Sequence, residues 1–329
     1  MIWLTWRQHR KQALWTAVLM AVLAAAVIPT GLSMRAAFKD SGLADCLRRL
    51  GHDRLATGGD CQALSQRFDN QYGAMPFLAI LFLLLPLLVG LFLGAPLVAR
   101  EVENGTHRLI WTQGISRRRW IVTKFGLVGG AALVLSVVYA VGVSWWFQPL
   151  ADNGLGRFRY LVFDLHGTAP IGYTLFAVAL GILVGTVCRK VLPAMGISLV
   201  AFVAVRALVE LLARPSYLPA KSLTYPIDSP VLANRFTGDW VRASGLRNGT
   251  GELVMPDAQI GCAQDGTEAS ARCVADLSQQ GFGPGPYTNW QEYQPADRFW
   301  TFQAIETGIF LALTALLLFL AVRRIRRIA

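Results

Sequence analysis

Long apolar runs alternate with polar ones along this chain, and six of the runs reach the length that fixes their surroundings. They are residues 13–32, 75–99, 121–147, 170–188, 191–212 and 299–322. A hydrocarbon layer of about 30 Å needs about 20 apolar residues in a helix. The pattern therefore predicts six transmembrane helices, with both termini on one side. The polar remainder includes a start at 1–12, a hairpin at 100–120, loops at 33–74 and 213–298, and a basic tail at 323–329. The predicted class is an all-α polytopic membrane protein with a larger extracytoplasmic loop domain between helices 5 and 6.

The start sets Trp3 and Trp6 beside Arg7 and Arg10, which suits a short helix lying in the membrane interface. Loop 213–298 is rich in Pro, Gly, Asn, Asp and Gln. A connection of that length is functional or disordered, and the cysteines inside it favour an ordered domain.

Composition agrees with a bilayer environment. Hydrophobic residues make up 54% of the 329 and charged residues 16%, and mean hydropathy is +0.43, too apolar for an ordinary soluble domain. Charge then sets the orientation, because basic residues near span ends resist translocation. One face carries Arg7, Arg10, Lys11, Arg100, Arg108, Arg117, Arg118, Arg119, Lys124, Arg189, Lys190, Arg323, Arg324, Arg326 and Arg327, against Glu101 and Glu103 alone. The rest of the chain is slightly acidic, so the whole excess of +11 lies on that face. It is expected to be cytoplasmic, with both termini inside the cell and the spans in the plasma membrane. The basic residues flank apolar runs and form no stripe on a soluble domain, which argues against nucleic-acid binding and for contact with membrane lipids.

Cys46 and Cys61 fall in the first outer loop and Cys262 and Cys273 in the last, while Cys188 stands at an inner helix end. Pairs 46–61 and 262–273 are the natural disulfides in an oxidising space, although the sequence also permits the two cross-loop pairings. Neither pair has the close spacing of a zinc knuckle, so no metal site is expected.

Inside the spans, Gly126 with Gly130 and Gly181 with Gly185 give small faces that let helices approach closely. Pro86, Pro96 and Pro193 are expected to bend or loosen their helices. Trp145, Trp146, Phe147, Phe299 and Trp300 fit an outer aromatic belt. Arg206, Glu210 and Glu306 are ionisable groups within spans, where charges are paired or functional. Arg206 and Glu306 both fall toward the outer side, where they could meet. Arg206 and Glu210, four apart on one helix, offer a second pairing. The set is read as a charge pair or a gate.

Catalytic signatures are missing. The sequence has no Gly-x-x-x-x-Gly-Lys-Ser/Thr loop, no His-Glu-x-x-His and no Gly-x-Ser-x-Gly, and its four histidines are scattered. No catalytic residue and no cofactor is expected in this chain.

A span-former without a motor needs a surface that a motor can push, and hairpin 100–120 offers one. Glu101 and Glu103 precede Gly105 and Thr106, followed by Arg108, Leu109, then Ser116, Arg117 and Arg119, with Trp120 and Lys124 leading into the next span. This resembles the intracellular coupling segment of ABC-2 type transporter permeases, where a Glu shortly precedes Gly-Thr, a Leu-rich stretch, Ser-Arg and a basic run. The resemblance is specific over about 25 residues and extends loosely to the six-span plan. The large last outer loop departs from the minimal members. It implies a permease subunit of an exporter, paired with a second copy or a paralogue and docked on a separate ABC ATPase that holds ATP and Mg. Glu101, Glu103, Gly105, Thr106 and Arg108 are then the ATPase-coupling residues. The rival expectation is a membrane scaffold or sensor whose outer domain binds a ligand or partner.

Overall fold

The computed structural model describes residues 2–51, 59–105, 117–188, 190–227, 237–262 and 268–327. Six helices in it are long and apolar enough to cross a membrane: Ala17–Asp40, Met75–Glu103, Trp120–Gly154, Ala169–Cys188, Val191–Ser216 and Ala296–Arg326. They are called spans one to six below.

Span one is the main part of a single helix, α1 (Ile2–Asp40), which also takes in the stretch read as an interfacial helix. It runs eight residues past the expected end at Leu32 because its polar residues there find partners. Ser33 bonds the Tyr72 hydroxyl at 2.8 Å, and Arg35 donates to the Trp145 carbonyl at 2.6 Å and to Gln148 at 3.1 Å. Short helices α2 (Leu43–Leu50) and α3 (Gly59–Tyr72) follow. They replace the expected polar loop and are joined by the Cys46–Cys61 disulfide.

Span two consists of α4 (Met75–Val89), a wide π turn at Gly90–Gly94 and α5 (Ala95–Glu103). Span three is most of α6 (Arg117–Leu150). A short buried helix, α7 (Tyr160–Leu165), precedes span four, α8 (Ala169–Cys188), and span five is α9 (Val191–Leu208) with a second wide turn, Val209–Ala213. Span six is the body of α11 (Phe299–Arg327). Three apolar clusters mark two ends of the bundle. Leu97, Trp120, Ile121, Ile182 and Ile325 gather at one end. Met34, Phe82, Phe147 and Leu165 gather toward the other, as do Phe163, Tyr173, Phe299 and Phe302. The first is here called the basic end, since Arg100, Lys124, Lys190 and Arg323 lie beside it in sequence; the second is the disulfide end.

Span four is the axis, with two thirds of its most apolar window buried inside the chain. Its close approach to span two uses four glycines. A methyl group built on Gly181 would lie 2.6 Å from Ala95 N and 2.7 Å from Gly90 O, and one on Gly185 would lie 2.6 Å from Ala95 O. Gly90 and Gly94 meet Ala177 and Val178 in the same way. The Gly126 and Gly130 pair, by contrast, has open space around it. Replacing Gly181 by valine forces two backbones apart, and overpacking of this kind costs about 2–3 kcal/mol. The unfolding midpoint in detergent should fall well below that of a Gly126→Val control.

The all-α expectation requires a correction in the last loop. It folds as a four-stranded antiparallel sheet in the order β1 (Lys221–Pro226), β4 (Thr288–Gln294), β2 (Trp240–Arg247), β3 (Leu253–Pro256), with α10 (Glu268–Gln279) beside it. The protein is thus mostly helical with a small sheet domain. The Cys262–Cys273 disulfide ties α10 to the core of Ile227, Leu246 and Tyr287. Trp240 stacks on Phe158 at 5.8 Å and meets Phe302 at 6.3 Å, which seats the sheet on the bundle.

Candidate functional site

Among the described residues, a cluster of charged side chains lies toward each end of the helical bundle. At the basic end, Pro96 starts α5 and Gly105 stops it. With φ at +69°, Gly105 occupies backbone space that side-chain residues avoid, and its N–H closes back on the Val102 carbonyl at 3.2 Å. Glu101 turns inward and pairs with Lys124 of span three. The Lys124 ammonium also stands 5.0 Å from the centre of the buried Trp120 ring. Glu103 stays exposed, yet its Oε2 accepts a hydrogen bond of 3.0 Å from Val191 N, the first residue of span five. Helix starts have N–H groups without internal partners and a positive dipole end, so a carboxylate suits that position. Of the five residues read as coupling residues, Glu101, Glu103 and Gly105 are placed, while Thr106 and Arg108 lie outside the described residues.

The second cluster is built from charges far apart in sequence. Arg214, 3% exposed, donates from Nη2 to Asp164 Oδ1 and to Glu306 Oε1, both at 2.7 Å, and from Nε to Glu306 Oε2 at 2.9 Å. Arg206 donates to Asp164 Oδ2 at 2.5 Å while its guanidinium lies 3.8 Å from the Tyr173 ring centre. The Tyr173 hydroxyl is 3.1 Å from Asp164 and 2.5 Å from Glu306, giving its proton to one of them. Tyr217 reaches Glu306 at 3.3 Å, and burial followed by the nearby carboxylate pushes its hydroxyl above the ordinary range. Two guanidinium groups thus face two carboxylates, so the set is formally neutral.

Of the two pairings the sequence allows, Arg206 with Glu306 is indirect. Arg206 takes Asp164, Glu306 takes Arg214, and Asp164 bridges the two arginines. Glu210 makes no ion pair among the described residues and is half-buried on the wide turn that follows α9. Asp164, Arg214 and Tyr173 were not expected from sequence. The available signal was a carboxylate in the short, otherwise apolar segment Tyr160–Leu165.

Beside the cluster, Gln303 of span six binds the start of span four. Its Oε1 accepts from Thr168 N at 2.9 Å and Ala169 N at 2.8 Å, and its Nε2 donates to Phe163 O. His166 sits on the same linker against the Phe299 and Trp300 rings. Burial, reinforced by Arg157 and opposed by Asp152, lowers its pKa from 6.5 to about 4. A base weakened by folding takes its proton more readily once unfolded. Stability is therefore unaffected above pH 6.5 and is lost as pH falls from there to about 4, by about 3 kcal/mol in all. A His166→Phe variant should lose this part of the acid sensitivity, read as a smaller drop in unfolding midpoint between pH 7.5 and pH 4.5.

Six membrane-capable helices around a glycine-packed axis define a multi-pass membrane protein. Residues 17–214 match the family described as ABC-2 membrane transporter related, and the chain belongs to that family. It is therefore a permease-type membrane component of a transporter. The matched stretch takes in spans one to four, span five as far as Arg214 and the placed part of hairpin 100–120, and stops before the sheet domain. No curated protein and no solved structure gives a match.

Proposed function

We propose that this chain is the permease subunit of an ABC exporter, working with a second permease and with a separate ATPase that binds ATP and Mg. The elbow formed by residues 100–120 faces the cytoplasm and receives the push of the ATPase. The supporting observation is the elbow itself. It joins spans two and three, its Glu101 is pinned to span three, and its Glu103 is bound to the start of span five. A mere lipid-binding loop has no use for carboxylates turned toward two other helices. The two disulfides lie at the opposite end, as an oxidising outer side requires. Glu101 is a positioning residue on this reading, and Gly105 with the residues after it presents the ATPase contact.

The test uses the full chain coexpressed with the soluble phosphate-loop ATPase encoded nearest to it. The ATPase should copurify with the permease, and Gly105→Val, which forces a β-branched residue into positive φ, should weaken the association while membrane insertion persists. A cysteine placed at Asn104 in a Cys188→Ala background should resist an impermeant thiol reagent on sealed cells. Labelling from outside, or failure to retain any ATPase, would overturn the reading.

A further inference from the structure

We propose that span five is a rod that carries movement of the elbow to the buried charge cluster, and that Glu103 is the grip at its near end. This rests on the reading of the elbow as the ATPase contact, and it assigns to Glu103 a positioning role.

Glu103 is badly placed for its own helix. It stands in the last turn of α5, where the helix dipole disfavours a carboxylate. The hydrogen bond to Val191 N offsets this by setting the same charge at the favourable start of span five. The joint is also close-packed, since Ala95 and Ala99 of α5 and Ala194 of span five are fully buried against one another, with Val191 and Met195 around them. Small side chains at a helix contact leave little slack, so the first turn of span five follows α5.

From that joint the helical path continues through α9, the wide turn and the short turn Arg214–Ser216. At about 1.5 Å per residue, Arg206 lies about 22 Å from Val191 and Arg214 about 35 Å. Those two arginines are the only cations in the buried cluster among the described residues, and both belong to the rod. Their partners do not. Asp164 sits on α7 and Glu306 on span six. A shift of span five relative to α7 and span six therefore changes every ion pair of the cluster together. Asp164, shared by both arginines, makes those changes interdependent. The cluster is thus the element that reports the state of the ATPase at the disulfide end of the bundle.

The experiment uses the permease–ATPase complex in nanodiscs, with Cys188→Ala and spin labels on cysteines introduced at Leu211 and Trp300, exposed positions of spans five and six. The distance between the labels is measured without nucleotide and after trapping with Mg-ATP and vanadate. Only complexes shown to hold both the ATPase and trapped ADP are compared. The parent should change its distance distribution on trapping. Glu103→Ala should reduce that change to less than half, and Glu103→Gln, which keeps an acceptor, should restore most of it. A second break lies away from the elbow. Val203→Pro, at an exposed position in mid-span, removes a backbone hydrogen bond and should also reduce the change to less than half. If no ATPase associates with the parent, the exporter reading itself fails. If the ATPase binds and traps nucleotide, the rod is refuted by an unmoved parent distance or by a full change in either Glu103→Ala or Val203→Pro.

Discussion

Replacing Arg214 by leucine is expected to be among the most damaging single changes in the chain, lowering stability by about 4 kcal/mol, the range found when one partner of a buried ion pair is removed. The guanidinium holds Asp164 and Glu306 together with three bonds of 2.7–2.9 Å, lies 3.5 Å from the Tyr173 hydroxyl, and covers the Phe163 ring at 4.1 Å. Leucine restores the packing on Phe163 but leaves two carboxylates with Arg206 as their nearest cation. Folding then brings like charges together in a poorly solvated place. Two further variants separate charge from shape. Arg214→Lys keeps the charge but cannot make the forked contact to Glu306, so it should lie between the parent and leucine. Arg214→Leu combined with Glu306→Gln removes one charge of each sign, and it should recover part of the loss. The measurement is the unfolding midpoint and monodispersity of the purified protein in detergent. An unchanged midpoint in Arg214→Leu would show that the cluster is open to water and carries no such load.

The fate of this cluster shows where sequence reasoning reaches its limit. Arg206 and Glu306 stood out because a charge inside an apolar run is conspicuous. Asp164 and Arg214 did not, since Arg214 lies just past the end of the apolar run 191–212 and Asp164 lies in a segment too short to be counted as a span. Pairing was harder still. Partners separated by 42 to 92 positions depend on the rotation of each helix about its axis, which spacing along one helix does not determine. The spans themselves were legible because about 20 apolar residues admit one reading. Of the two small faces, one makes its contact within this chain. Gly181 and Gly185 do pack closely, against a Gly90 and Gly94 turn that the reading passed over, whereas Gly126 and Gly130 face open space. Of the cysteine pairings open to the sequence, the two within single loops are the ones that form.

The sheet domain was hidden for a different reason. Strand β4 buries Asn289, Gln291 and Tyr293 on one face and Gln294 on the other, so most of its buried positions are polar and it shows no apolar alternation. Asn289 makes both its bonds to the backbone of Ile260, and Gln294 donates to the Leu218 carbonyl. Satisfied amides substitute there for a greasy face. Strand β2 adds a register shift between Val241 and Ala243 that breaks its period of two.

At the basic end the expected result is again a one-sided loss. Lys124→Met keeps the aliphatic stem against Trp120 and removes the charge that faces Glu101, whose side chain is nearly buried. Stability should drop by about 3 kcal/mol, since an interior carboxylate is left without this cation. The double variant Glu101→Gln with Lys124→Met should be milder than the single one, because the amide needs no counter-charge. That ordering separates two roles for Glu101. If its carboxylate touched the ATPase directly, the double variant would be well folded yet would lose the ATPase on copurification. If it positions the elbow from inside, the double variant should fold and retain the ATPase, while Lys124→Met alone weakens both. The burial of Glu101 and its attachment to span three favour the second outcome. A double variant as unstable as Lys124→Met would show that the two side chains act independently and that the elbow is held by packing alone.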